Sequence, residues 1–215
     1  MKRTDTKKLV LLAMLSAMAF LMVALIRIPV VLFLSYEPKD VIITIGGFIL
    51  GPSAAFVISL VVSLIEMFSI SDTGIVGAAM NLLSTCSFAC TAAFIYKKKH
   101  TIAGAVAGLL AGSICMIVIM LLWNYLITPL YMGVEREAIS GMLIPAFLPF
   151  NTLKAGFNSA LTLALYKPVV RALRKAGLIT GQPQKANSSK WGIYLLALGL
   201  LTTCVVALLA LRGII

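Results

Sequence analysis

Long apolar runs broken by short clusters of charge set the pattern of this chain. No charged residue interrupts Leu9 to Ile26, which predicts a helix of about 27 Å, close to the hydrocarbon thickness of a bilayer. The stretch from Val41 to Ile65 is also uncharged. Read as one helix it would span, but Gly51-Pro52 inside it reads as a turn. Charge decides between the two readings. With a turn there, Lys97–Lys99 and the basic residues from Lys167 to Lys190 fall on the same side as Lys2, Arg3, Lys7 and Lys8. With one unbroken helix they fall opposite. Because basic loops stay cytoplasmic, a hairpin is expected, and Val41–Leu50 becomes a second segment about half a span long. Further segments are expected at Ser53–Ile70, at Ile75–Tyr96, from Ile102 through Trp123-Asn124-Tyr125, within the apolar run Ala138 to Tyr166, and at Trp191–Leu211. Ser71-Asp72-Thr73-Gly74 reads as a turn and Gly133 to Glu137 as a short polar outer loop.

The predicted fold class is all-α: a polytopic membrane helical bundle with a six-helix core and one additional C-terminal transmembrane helix. Residues 1–175 form the bundle, with loop 27–40 as a cap or lid. Residues 176–190 form a cytoplasmic linker, and 191–211 form the extra helix, which carries no charge or amide and is expected to face lipid. Composition agrees: 61% hydrophobic and 12% charged, against about half and about 25% in soluble domains. The basic N-terminus followed by Ala17-Met18-Ala19 resembles a signal peptide, but the apolar run continues unbroken, so an uncleaved first span is expected. That puts the N-terminus in the cytoplasm and the C-terminus outside if the seventh segment spans. No internal repeat of matching segments is apparent, which argues against an inverted-repeat transporter.

The net charge of +11 does not imply nucleic acid, because the basic residues flank the apolar runs and are not interleaved with stacking aromatics on a solvated face. Cys86, Cys90, Cys115 and Cys204 lie in apolar segments and read as packing residues. Cys86 and Cys90 are four apart, but no second pair and no nearby His completes a metal site, since the single histidine, His100, follows Lys97–Lys99 at a segment end. No catalytic motif and no phosphate loop appears, so neither an enzyme nor a self-powered pump is expected.

Candidate chemistry lies in the polar residues placed inside apolar segments. Lys154 is the only basic residue within the run Ala138 to Tyr166. A lysine at membrane depth is costly and gains nothing from a helix N-terminus, so a polar ligand or a carboxylate partner is expected to favour it. Pro149 is suited to open a helix, on which Asn151, Lys154 and Asn158 share one face. Glu66 and Asn124 fall at the same outer level, and Asn81 within a turn or two of it. Such groups should face inward and meet. With aromatic walls from Tyr36, Trp123, Tyr125, Phe150 and Phe157 they suit a flat, hydrogen-bonding, partly apolar small molecule. The alternative is that Glu66 and Lys154 pair and the amides join neighbouring helices. Ala13 and Ala17, four apart in the first segment, offer a close-packing face, either for a partner membrane protein or within the bundle.

Taken together, several stretches resemble the substrate-binding S components of energy-coupling-factor (ECF) vitamin transporters, the riboflavin-specific members above all. They are Tyr36-Glu37-Pro38-Lys39-Asp40-Val41, Gly46-Gly47-Phe48-Ile49-Leu50-Gly51-Pro52, Leu122-Trp123-Asn124-Tyr125 with Pro129-Leu130-Tyr131, and Pro149-Phe150-Asn151-Thr152-Leu153-Lys154. The resemblance covers roughly Leu9 to Lys175. It implies a six-helix bundle with the first loop as a lid over an outward-facing pocket, and riboflavin as the transported ligand with no resident cofactor. By the same resemblance Asn124, Asn151 and Lys154 hold the polar groups of the flavin, a loop hydroxyl falls near Ser35, and Ala13 and Ala17 match the docking motif for the transmembrane coupling subunit, which works with two ABC ATPases. The seventh segment departs from the family. An S component for another vitamin or a flavin nucleotide, an intramembrane enzyme using Glu66, and a scaffold subunit without ligand are the other readings.

Overall fold

A computed structural model of the chain describes residues 3–31, 34–71, 73–178 and 190–211. The first apolar run forms α1 (Arg3–Leu25). The lid region is not a plain loop. It forms an antiparallel ribbon of β1 (Ile28–Val31) and β2 (Leu34–Tyr36), with Ile28 opposite Tyr36 and Pro29 opposite Ser35. This corrects the expectation of a plain loop over 27–40, while the fold class remains all-α. The ribbon is held down by Leu34, which is buried against Ile139, Phe147 and Phe150.

The expected hairpin at Gly51-Pro52 is present. Helix α2 (Lys39–Leu50) ends where Gly51 adopts φ 99°, a left-handed conformation that favours glycine. Pro52 then opens α3 (Pro52–Ser69), where its missing N–H is not needed. α2 begins two residues earlier than expected, so Lys39 and Asp40 belong to the helix and not to the lid. Every residue of α2 from Lys39 to Phe48 is buried, and the helix packs against α1, α3, α4 (Gly74–Lys98) and the long helix from Leu148 described below. Asp72 of the expected turn lies outside the described residues.

α5 (Ile102–Leu126) opens on Thr101, whose side chain accepts from the Gly104 N–H. A short α6 (Thr128–Met132) follows. The polar outer loop is shorter than expected, because α7 (Arg136–Met142) already includes Arg136 and Glu137. Pro149 lies in the first turn of the helix that carries Asn151, Lys154 and Asn158, as expected, but that helix does not start from a loop. Winding continues from α7 through a π-helical turn at Leu143–Phe147 into α8 (Leu148–Lys175). In that wide turn the Leu148 N–H bonds five residues back to Leu143, and Pro145 and Pro149, which have no N–H, sit in and just after it. α8 also runs through Pro168 without a break. Most of the expected linker (residues 179–189) lies outside the described residues. α9 (Lys190–Leu211) lies along α8, with Ala197 and Cys204 buried and Leu198, Val205 and Val206 exposed.

The main core gathers Leu11, Leu15 and Ala19 of α1, Ile43 of α2, Ile58 and Val62 of α3, Phe88 and Ala92 of α4, and Leu109 and Met116 of α5. Among the described residues, four helices are long and apolar enough to cross a membrane by length and composition: Thr6–Leu25, Pro52–Ser69, Gly74–Lys98 and Ile102–Leu126.

Candidate ligand cavity and the charges beneath it

A cavity of about 430 Å³ opens between the lid ribbon, α4, α5 and the start of α8. This volume lies within the range of about 300–1,000 Å³ usual for small-molecule sites. Asn124 of α5 and Asn151 and Lys154 of α8 line it and are all buried. Asn81 and Ser84 of α4 face it from another wall, Met120, Trp123 and Phe150 supply apolar surface, and Ser35 and Glu37 contribute from the lid side. Arg27, with a side chain 43% exposed, stands at the mouth with Thr73 and Tyr131. Both asparagines are pre-set by their own helices. Asn124 Nδ2 donates to the Met120 carbonyl and its Oδ1 accepts from Thr128. Asn151 Nδ2 donates to the Phe147 carbonyl, inside the wide turn.

Three of the expected ligand residues, Tyr36, Glu66 and Asn158, lie beneath the cavity and not on its wall. They belong to a buried network that sequence reasoning did not assemble. Asp40, 0% exposed, accepts from Thr85 at 2.7 Å and from Asn158 at 3.1 Å, and pairs with Lys154 at 3.3 Å. Asn158 in turn accepts from the Tyr36 hydroxyl at 3.1 Å, and the Tyr36 ring rests on Phe157. Lys154 also reaches Ser84 Oγ at 3.4 Å. A second cluster is centred on Lys39, whose Nζ lies 2.6 Å from Glu66 and 2.9 Å from Glu37. Asn81 donates to Glu66, and Arg27 donates to Glu37, both at 2.8 Å. Lys154 therefore has its carboxylate partner, but the partner is Asp40. Glu66 pairs with Lys39, so the alternative of a Glu66–Lys154 pair is not realised.

Burying a charge costs several kcal/mol unless it is paired and hydrogen-bonded. Here Arg27, Lys39 and Lys154 are matched by Glu37, Asp40 and Glu66. Burial acts to push the Glu37 carboxyl up, but Lys39 beside it, with help from Lys154 and Arg27, holds it below the usual carboxylate range. Ala13 and Ala17 sit on the exposed face of α1, while Leu11, Leu15 and Ala19 turn inward. Among the described residues no group of three or more His, Cys, Asp or Glu is arranged to hold a metal.

The family described as ECF transporter, substrate-specific component, matches residues 7–166. The chain belongs to this family. As an S component it is a transporter subunit and not an enzyme, and its apolar helices make it a multi-pass protein of the cell membrane. Similar proteins include the riboflavin transporter RibU of Staphylococcus aureus, 30% identical over 80% of this chain and 94% of that protein. The riboflavin transporter FmnP of Bacillus subtilis is 29% identical over 69% of this chain and 84% of that protein. A solved structure described as the S component of a bacterial ECF transporter matches with TM-score 0.66 and 30% identity, covering 79% of this chain and 99% of that one.

Proposed function

We propose that this S component captures riboflavin from outside the cell and passes it inward when docked to a transmembrane coupling subunit driven by two ABC ATPases. The observation that carries this reading is the convergence of the buried Asn124, Asn151 and Lys154 on one cavity bordered by the β1–β2 ribbon. Two carboxamides and an ammonium match the acceptors and donor along the pyrimidine edge of the isoalloxazine ring. In this reading Asn124 and Asn151 bond that edge and Lys154 donates to a ring carbonyl or a ribityl oxygen. Trp123 and Phe150 flank the flat ring, as aromatic walls do in cofactor and ligand sites. Residues 1–175 act as the binding unit. Ala13 and Ala17 on the open face of α1 give the coupling subunit a surface that a second helix can approach closely. The positive-inside rule sets the N-terminus in the cytoplasm.

The names of the relatives support riboflavin over another vitamin. Purification from cells supplied with the vitamin tests the assignment. The expected product is yellow, with a flavin fluorescence spectrum that appears on denaturation. A colourless protein that fails to quench added riboflavin would remove it.

A further inference from the structure

We infer that α9 is a brace on the β1–β2 ribbon and thereby slows ligand exchange through the mouth of the cavity. This deepens the riboflavin reading and rests on it for the ligand, though not for the contact between α9 and the ribbon. The family match ends at residue 166, so α9 lies beyond it. The helix is nevertheless fitted to the bundle. It packs along α8 and also touches β1. Ala197 and Cys204, which share one face of the helix, are 2% and 8% exposed, while Leu198 is 57% exposed. Opposite Cys204 stands Gly156 of α8, where a Cβ would lie 2.5 Å from the Cys204 Sγ. Any side chain at 156 would push α9 outward, so the glycine is what admits this close approach.

That contact sits beside the ribbon's own anchor. Phe157, the residue after Gly156, carries the Tyr36 ring of β2 with centroids 5.2 Å apart, and Asn158 accepts from the Tyr36 hydroxyl. A two-stranded ribbon by itself is only marginally stable, so its position depends on what each strand packs against. β2 is held to the bundle by Leu34 and Tyr36. β1 has its pairing with β2, Val30 at the edge of the Leu34 cluster, and α9. Leu34 and Ser35 form part of the cavity wall, and Arg27 and Glu37, which flank the ribbon in sequence, line it too. Movement of the ribbon therefore changes the opening, and α9 limits that movement from the β1 side.

The experiment uses the purified full-length protein in detergent. Its paired readouts are hydrogen exchange at the amides of β1 and β2 and stopped-flow release of riboflavin. Cys204→Leu enlarges the α9 side of the contact and leaves every cavity residue in place. It is expected to speed ribbon exchange at least about tenfold. Riboflavin release should quicken at least about threefold, with a smaller change in association. Gly156→Cys supplies a thiol opposite Cys204, and oxidation is expected to join the two in a disulfide identified by peptide mass. The joined protein should exchange its ribbon amides and release riboflavin no faster than wild type, and reduction should speed both. Leu198→Ala, on the outer face of α9, should behave as wild type. Unchanged ribbon exchange in a folded Cys204→Leu protein would overturn the inference, as would faster ribbon exchange with unchanged riboflavin release. So would failure of the disulfide to form, or an equal effect from Leu198→Ala. If Cys204→Leu does not fold, the oxidised and reduced forms of Gly156→Cys decide, and equal rates in the two would overturn the inference. A wild-type protein that binds no riboflavin would remove the riboflavin reading, and the ribbon exchange rates would then judge the brace by themselves.

Discussion

The two ends of the bundle share helices but are packed in opposite ways. At the end bearing Lys97–Lys99, α4 and α5 come close enough that a Cβ on Gly108 would lie 2.7 Å from the Ala92 carbonyl oxygen, and one on Gly112 2.5 Å from that of Phe88. Phe48 stacks on Tyr96 with centroids 4.4 Å apart, and the Tyr96 and Tyr166 hydroxyls share a 2.7 Å hydrogen bond. The space left there is about 30 Å³, room for a water. At the other end the same α4 and α5 stand apart around some 430 Å³. One end is closed by backbone proximity. The other is kept open by side chains whose charges require fixed partners. The comparison teaches that a cavity in a membrane bundle needs a clamp elsewhere, and that its walls are held by electrostatic pairing where dispersion contacts are absent.

Breaking the charged end should have the largest effect. Asp40→Ala leaves Lys154 buried without a carboxylate, a loss of about 3–5 kcal/mol for a broken buried pair. The variant should melt far below wild type in detergent and bind no flavin, and a wild-type melting profile would show that charge pairing does not hold this end. Gly112→Val strikes the clamp instead. Forcing a side chain against the Phe88 carbonyl should cost about 1–3 kcal/mol, read as a lower melting temperature, while whatever protein remains folded keeps its flavin affinity.

Asn151→Ala sharpens the comparison at the cavity itself. It should weaken riboflavin binding at least tenfold, about 1.4 kcal/mol, with little change in melting. Lys154→Ala should weaken binding by at least as much and also lower the melting temperature, because it leaves Asp40 without its cation. Wild-type affinity in both would remove the site assignment. Ala17→Leu touches neither end. The isolated protein should bind riboflavin and melt as wild type, while recovery of the coupling subunit with it from membranes should be lost.

Much of the open end was legible because polar residues inside apolar runs stand out. Asn124, Asn151 and Lys154 were found by that rule alone. Lys39 and Asp40 were missed because charges at the edge of an apolar run look like interface residues. A signal was nevertheless present. A segment only half a span long that begins its return at Gly51 has its opposite end near mid-membrane, so a Lys-Asp pair opening it has to be buried. The ribbon was hidden for another reason. Pro29 and the short strands blur the period-two alternation that marks a strand, and its register comes from packing against Phe147 and Phe150. Glu66 faces inward, as its place inside an apolar run implies, but its pairing with Lys39 follows from α2 starting two residues early.

The wide turn at Leu143–Phe147 carries a consequence for how this sequence can change. Successive residues of an α-helix are about 100° apart around its axis, so a turn holding one surplus residue sets the azimuth of everything after it. Winding the same residues as ordinary α-helix would swing Asn151, Lys154 and Asn158 together by roughly that angle, from the cavity toward neighbouring helices or lipid, whereas deleting one residue along with the wide turn would leave them facing the cavity. The phase of the binding face is thus stored in the wide winding that absorbs one residue, several positions upstream of any side chain that would touch the ligand.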